Sequence, residues 1–304
     1  MTPLVSVVIP TYNRSRQVQS AIQSVLDQTH SDLEAIVVDD RSIDNTVQVV
    51  EEYSRKDPRI RLIVHKERRG AQAARNTGIK AGSGEWIAFL DSDDKWLPDS
   101  LNSRLQAADT SGSHVVHSDC YVIDPRATGV RQMGVVPMQG DIYRQLLRKF
   151  CPVFPALLVS KEALARIGYL DETIVSWEEW DTAIRLAKYY EFSFVPQATF
   201  VYDCSHPDTI AKDSFRTALG YEQVFTKHRR SILHYLGPKT LASHYRKAAK
   251  LYRQGNEKVQ AYRCLLVAFL LWPIKPGAIF RKYGTAPFLR LNLPSLLPRF
   301  KKGR

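Results

Sequence analysis

The run Phe89-Leu90-Asp91-Ser92-Asp93-Asp94-Lys95-Trp96 sends an apolar segment into a turn that carries three carboxylates. Hard divalent cations take oxygen ligands, so one or two of these acids could hold Mn²⁺ or Mg²⁺ against a diphosphate. The ion would offset charge on a leaving group and let an acidic surface meet an anionic substrate. An Asp-x-Asp pattern is also an ordinary helix cap or solvent-facing turn. Asp39-Asp40 has a similar double reading: it could cap a helix beginning near Asp44, or accept hydrogen bonds from a base or ribose. Tyr12-Asn13-Arg14 offers an aromatic face and polar donors, although a turn alone accounts for Asn13. Arg75-Asn76 stands among Ala73, Ala74 and Gly78, small residues that suggest close packing; the pair suits a surface or a diphosphate equally.

The elements that would have to position these groups are legible as a repeat of short β-branched runs and helical spacings from Leu4 to about Ser118. Strands are expected at Val5-Ile9, Leu33-Val38, Ile60-Val64, Trp86-Leu90 and Val115-His117, with helices near 15–28, 44–54, 70–81 and 98–109. Such alternation predicts crossover units and a mostly parallel central sheet flanked by helices. It also puts Tyr12-Asn13, Asp39-Asp40 and Asp91-Ser92-Asp93-Asp94 at strand ends, the edge where open α/β sheets hold ligands. Residues 119–160 are less regular, with turn formers at Asp124-Pro125 and Gly129, and read as short strands plus a helix near 139–149. A helix from Glu178 to about Tyr189, strands Phe192-Val195 and Thr199-Tyr202, and a helix near 211–228 follow. Segments 238–253 and 256–271 have the spacing of a helical hairpin interrupted at Gly255-Asn256, and little regular structure is expected from Pro273 to Arg304.

A chain of 304 residues with 44% hydrophobic and 24% charged content can bury a sizeable core. Cys120, Cys151, Cys204 and Cys264 are too dispersed for a disulfide framework or a short-spaced metal pair, which suits a reducing compartment. No basic or long apolar stretch precedes Val5, so no signal peptide is expected, and the localisation expected is cytoplasmic or peripheral at the inner face of the membrane. The net charge of +12 conceals two parts: residues 1–226 hold 25 Lys/Arg against 30 Asp/Glu, whereas residues 227–304 hold 18 against Glu257 alone, or +17. A basic segment of this kind serves nucleic acid or an anionic membrane, and the count does not separate them. The run Cys264 to Trp272 falls short of the roughly 20 residues that cross a bilayer. A Gly-rich phosphate loop, a Gly-x-Gly-x-x-Gly after the first strand, a His/Cys zinc constellation and a Gly-x-Ser-x-Gly elbow are all missing. Arg68-Arg69-Gly70 does not replace them, so ATPase and dinucleotide oxidoreductase chemistry lose support.

Four pieces in order, Val5-Ser6-Val7-Val8-Ile9-Pro10-Thr11-Tyr12-Asn13-Arg14, Ile36-Val37-Val38-Asp39-Asp40-Arg41-Ser42, Ala74-Arg75-Asn76-Thr77-Gly78 and Gly84-Glu85-Trp86-Ile87-Ala88-Phe89-Leu90-Asp91-Ser92-Asp93-Asp94, resemble glycosyltransferase family 2 over residues 4–205. The resemblance implies an α/β GT-A nucleotide-diphospho-sugar transferase fold and an inverting transfer that depends on a divalent cation, Mn or Mg. It implies that Pro10, Thr11, Tyr12 and Arg14 lie beside the nucleotide, with Asp39 and Asp40 near the base and Asp40 the better placed of the two. Arg75 would lie near ribose or diphosphate, with Ser92 also on the donor side. Asp91 and Asp93 match the Asp-x-Asp element; Asp93 is the first choice for the metal, Asp91 its partner, and Asp94 a third carboxylate. Relatives place Glu-Asp at the start of a helix under the acceptor. Here the match is Trp177-Glu178-Glu179-Trp180-Asp181, with Glu179 where Asp is usual. Glu179 is the expected base, Glu178 and Asp181 are alternatives, and acids at a helix N-terminus are favourable without any catalysis. His206, in Tyr202-Asp203-Cys204-Ser205-His206, matches a histidine near the diphosphate, although a surface-loop role explains it equally.

The organisation that follows is a catalytic domain over 1–226, with a nucleotide half over about 1–118 and an acceptor-side half over about 119–226, and a C-terminal helical extension over 227–304. The implied partners are a nucleotide-sugar donor, UDP-sugar first, and a glycan or lipid-linked saccharide acceptor. An anionic membrane surface through residues 227–304 and a homo-oligomer are further candidates, and nucleic acid is not expected. The competing readings are a catalytically inactive binding or scaffolding protein on the same fold, and a nucleotidylyltransferase.

Overall fold

The computed structural model describes residues 4–123, 130–135, 137–149, 152–203 and 213–273. Asp124-Pro125, Gly129, Cys151, Cys204, His206 and the segment beyond Pro273 lie outside the described residues.

The strands are β1 (Val5–Thr11), β2 (Leu33–Asp39), β3 (Ile60–Val64), β4 (Trp86–Phe89), β5 (Lys95–Trp96), β6 (Val115–Ile123), β7 (Val130–Gln132), β8 (Leu158–Ser160) and β9 (Phe192–Asp203). Between them run helices α1 (Gln17–Leu26), α2 (Thr46–Lys56), α3 (Ala71–Ala81), α4 (Ser100–Ser111), α5 (Tyr143–Leu146), α6 (Lys161–Arg166) and α7 (Glu178–Ala187). Three further helices, α8 (Ser214–Lys227), α9 (Arg229–Gln254) and α10 (Lys258–Leu271), follow the last strand. The β-branched run of β1 is buried along its whole length, as a strand covered on both faces must be.

Among the described residues, nine strands join one sheet in the order β3-β2-β1-β4-β8-β6-β9-β5, with β7 paired to β6. The half built from β3, β2, β1 and β4 is parallel, as the alternating pattern predicts. The other half departs from that expectation. β8 is antiparallel to both β4 and β6, β5 to β9 and β7 to β6, while β6 and β9 run parallel through two register shifts. The sheet is therefore mixed, four pairings of each kind, rather than mostly parallel. Strand direction depends on how the chain returns, and short runs such as Leu158-Val159-Ser160 carry no periodic mark of it.

The apolar side chains divide into two main clusters. One gathers β1, β2, α1, α4 and part of β6. The other includes Phe89, Val115, Trp180 and Phe192, and continues into Leu241, Ala248, Tyr252 and Cys264 of α9 and α10. Two polar links join α9 to this core: Tyr221 Oη donates to His244 Nδ1 at 2.7 Å, and His244 Nε2 donates to the Leu147 carbonyl at 3.0 Å. α9 carries a break at Gly237 (φ 75°) before Pro238, so its second part starts at the position where proline suits a helix. Among the described residues, no helix is long and apolar enough to cross a membrane.

Candidate active site

A cavity of about 560 Å³ opens at the C-terminal edge of the parallel strands. Its wall includes Pro10, Thr11, Tyr12 and Arg14 after β1, Asp40 after β2, Arg75 on α3, Asp91, Ser92, Asp93 and Asp94 after β4, and Glu178 and Glu179 at the start of α7. Asp39 and Asp181 are not part of that wall. A more open cleft of about 670 Å³ lies elsewhere, among His30, Trp86, Asn102 and His114, and gathers none of these residues.

The two acids after β2 have separate tasks. Asp39 is fully buried and accepts from the backbone N–H and hydroxyl of Ser42, at 2.7 and 2.5 Å, which fixes the turn after β2. Asp40 spans to the loop before α3: Oδ1 accepts from the Arg69 N–H at 2.8 Å and faces His65 Nδ1 at 2.9 Å, and Oδ2 accepts from the Gly70 N–H at 2.7 Å. A carboxylate has about four acceptor sites, so Asp40 keeps one for a ligand while it holds this loop. Neither acid caps α2, where Asp44 accepts from the Thr46 N–H and hydroxyl. The held loop places Arg68 with its guanidinium 4.0 Å from the Tyr12 ring centroid, a flat cationic and aromatic surface at the cavity edge.

α3 enters through Gly70 (φ 91°), a conformation that L side chains rarely adopt, and crosses β1 so closely that a Cβ at Gly78 would lie 2.4 Å from Val8 Cγ1. This approach brings Arg75 into the wall. Its guanidinium is buried, donates to Asp91 Oδ1 at 2.5 Å and to Gln72 Oε1 at 2.8 Å, lies 3.5 Å from Glu178 Oε1, and stacks 4.3 Å from the Phe154 ring centroid. Arg14 lies 3.6 Å from Asp93. Asp94 is 2% exposed; its Oδ1 accepts from the Asp203 N–H at 3.3 Å, and its Oδ2 has no hydrogen-bond partner among the described residues. Burial, then the charges of Asp91 and Asp93, hold the Asp94 carboxyl well above the usual range.

The acids at the start of α7 are presented by Trp177, whose φ of 63° is unusual for a bulky residue and whose indole N–H donates to the Thr217 carbonyl at 2.9 Å. Glu178 faces Arg75. Glu179 is half-buried, and burial followed by the adjacent Glu178 charge pushes its carboxyl up to about 8. Asp181 turns into the core: it accepts from Arg185 Nε at 2.8 Å and Lys227 Nζ at 2.9 Å and faces His228 Nε2 at 2.7 Å. These contacts hold it below the usual carboxylate range against the opposing effect of burial. His206 lies outside the described residues.

The wall also holds groups to which no role was assigned from the sequence: Arg68, Phe154, Trp177 and Arg216. Arg68 was visible only as part of a short basic pair, and Trp177 only as a neighbour of the acids. Phe154 carries no mark in the sequence, because Arg104 and Trp96 place it from afar. Both donate to the Pro155 carbonyl, at 3.2 and 3.1 Å.

No three His, Cys, Asp or Glu side chains among the described residues form a group that could hold a metal ion by themselves. The carboxylates of Asp91 and Asp93 face the cavity, with the unpartnered Oδ2 of Asp94 in the same turn. A donor set of one or two carboxylates suits a cation that takes its remaining ligands from substrate phosphates and water.

A chain of 27% identity over 278 residues, GalNAc(5)-diNAcBac-PP-undecaprenol beta-1,3-glucosyltransferase of Campylobacter jejuni, pairs with 86% of this chain and 87% of its own length. The Escherichia coli UDP-Glc:alpha-D-GlcNAc-diphosphoundecaprenol beta-1,3-glucosyltransferase WfgD is 45% identical over 102 residues, 34% of this chain and 40% of its own. Several other curated relatives are likewise matched over only 25% to 41% of their length. Among solved structures, the mannosyltransferase PcManGT from Pyrobaculum calidifontis, in complex with GDP-Man and Mn²⁺, superposes with a TM-score of 0.61 at 20% identity, covering 90% of this chain and 89% of that one. It supports the fold alone. The profile of Glycosyl transferase family 2 matches residues 6–168, just over half of the chain, and the chain belongs to that family.

Proposed function

We propose that the chain is an inverting glycosyltransferase that moves a sugar from a nucleotide-diphosphate donor to a hydroxyl of a glycan or lipid-linked saccharide, with a divalent cation as cofactor. The observation that carries this reading is that one cavity gathers Asp40, Arg75, Asp91, Asp93 and Glu179 from four separate segments. A UDP-sugar is the first choice of donor, in keeping with the name of the E. coli relative, and the names of both curated relatives specify undecaprenol-diphosphate acceptors. In this reading residues 1–226 form the catalytic unit and residues 227–304 its extension.

Tyr12, Arg68 and the spare acceptor of Asp40 form the nucleotide end of the cavity. Arg14 and Arg75 place cationic charge where a diphosphate must lie, already oriented by Asp93 and Asp91. Asp93 and Asp91 would hold Mn²⁺ or Mg²⁺, which when bound supplies positive charge to the diphosphate leaving group. Glu179 takes the proton of the acceptor hydroxyl as that oxygen bonds to the anomeric carbon and the bond from that carbon to the diphosphate breaks. A single displacement inverts the anomeric configuration. Glu178, paired with Arg75, keeps like charge beside Glu179 and so favours uptake of the proton. Asp181 is assigned to the packing of α7.

The test is a donor screen with Mn²⁺ or Mg²⁺, in which release of nucleoside diphosphate is measured with and without EDTA and with acceptor glycans present. A preferred donor whose turnover EDTA abolishes is the expected result. Intact donors throughout, from folded protein, would overturn the reading.

A further inference from the structure

α10 is built inside out for a helix on a water-soluble surface. Its inward positions are the small residues Ala261, Cys264 and Ala268, each at most 1% exposed. Leu265 and Leu271 also pack against the core, but five other large apolar residues face away from the protein, with Val259 79% exposed, Tyr262 45%, Leu266 61%, Phe269 46% and Leu270 73%. At 100° per residue these five, with Lys258 and Arg263, fall on one continuous side of the helix. No acid lies among them. A helix that is apolar all round is normally buried, and a contiguous exposed apolar face marks an interaction surface.

The charge of this part of the sequence selects the partner. From Lys227 to Pro273 the chain carries ten Lys/Arg against Glu257 alone, and residues 274–304 add eight Lys/Arg and no acid. Lys250, Arg253 and Lys258 lie exposed on or beside the hairpin. At 14 residues α10 is about 21 Å long, short of the roughly 30 Å of a bilayer's hydrocarbon core. Such a helix lies in the interface with its apolar side in the acyl boundary and its cations among headgroup phosphates.

We propose that the outward face of α10, centred on Leu266 and Leu270, is the docking surface of this protein for an anionic lipid bilayer. The hairpin is fastened to the body that carries the site. Arg263 Nη2 and Tyr252 Oη both donate to Glu222, at 2.5 and 2.8 Å, and Lys247 Nζ lies 5.2 Å from the ring centroid of Trp177 in the cavity wall. Only the purpose of this surface rests on the proposed function: it would bring the cavity to a lipid-linked acceptor.

The experiment is co-sedimentation of the full chain with vesicles of phosphatidylcholine alone or mixed with phosphatidylglycerol, at low and high salt, beside the double variant Leu266→Ser/Leu270→Ser. The wild type should pellet with the anionic vesicles, less at high salt, and not with neutral ones. The variant should lose at least tenfold in apparent affinity with an unchanged melting temperature, since both side chains are exposed. Equal binding by the variant would overturn the proposal, as would failure of the wild type to bind anionic vesicles. A wild-type dimer in sedimentation velocity that the variant abolishes would instead assign the face to a second copy. Failure of the wild type to bind vesicles, with transfer to a water-soluble acceptor retained, would remove the docking surface and leave the proposed function standing; wild-type binding without turnover on any donor would do the reverse.

Discussion

Glu178 and Glu179 are neighbours in sequence with opposite surroundings. Glu178 has Arg75 at 3.5 Å, whereas Glu179 has burial and the Glu178 charge working against its ionisation. If Glu179 is the base, Glu179→Ala lowers turnover by about 10²- to 10⁴-fold while donor affinity, measured by calorimetry, stays close to wild type. Unchanged turnover removes the assignment. The raised carboxyl also fixes the form of the pH profile. The base acts when deprotonated, so kcat/KM should climb with pH through a midpoint near 8 rather than near 4.5. Glu178→Gln removes the like charge and releases Arg75 toward Glu179, and both effects move the midpoint down. A midpoint that stays in place in this variant would show that the limb belongs to another group.

At the scale of elements, the site depends on how closely α3 crosses β1. Gly78→Ala puts a methyl 2.4 Å from Val8 Cγ1 and should cost about 1–3 kcal/mol in urea unfolding, because neither the helix nor the fully buried strand can yield cheaply. An unchanged unfolding midpoint would mean that α3 sits farther out. The first four strands and α1 to α4 were legible because their alternation of apolar runs and helical spacings states both the element and its direction. The second half was not. β9 reads as two strands because Pro196 interrupts it, yet pairing with β6 continues through the irregularity. α6 is too short for periodicity to mark, and Gly237-Pro238 hides the first turns of α9. The acids at the strand ends were legible as a group, since motif order fixes which edge they share. That Asp39 holds a turn and Asp40 bridges to Gly70, or that Arg104 places Phe154, depends on contacts between distant segments that no local pattern records.

Across the whole molecule, buried ionisable groups set opposing responses to acid. His117 donates to the Met138 carbonyl and His244 to the Leu147 carbonyl, and burial lowers both to about 4. An unfolded histidine takes up its proton near 6.5, so between about 6.5 and 4 the unfolded chain binds more protons and stability falls with acid, by about 1.4 kcal/mol per pH unit for each. Glu179 has the opposite sign. Its folded value near 8 exceeds the unfolded 4.5, so between those limits the native state binds more protons and gains stability as pH falls, by up to about the same slope. Asp94, also raised, acts in the same direction as Glu179. The wild-type curve should therefore fall less steeply where these windows overlap than the two histidines alone would make it, and its slope alone says nothing about burial. Differences between variants do. Relative to wild type, His244→Gln should lose stability at pH 8, where the Tyr221 and Leu147 links are disturbed, and should recover about 1.4 kcal/mol of that deficit per pH unit below 6.5. Glu179→Gln should change in the opposite sense between pH 8 and 4.5, its advantage over wild type shrinking as acid neutralises the native carboxylate. Urea titrations at several pH values measure both. A deficit in His244→Gln that is independent of pH would mean that His244 titrates alike in the folded and unfolded chain, and that α9 is not packed into the core through a neutral imidazole.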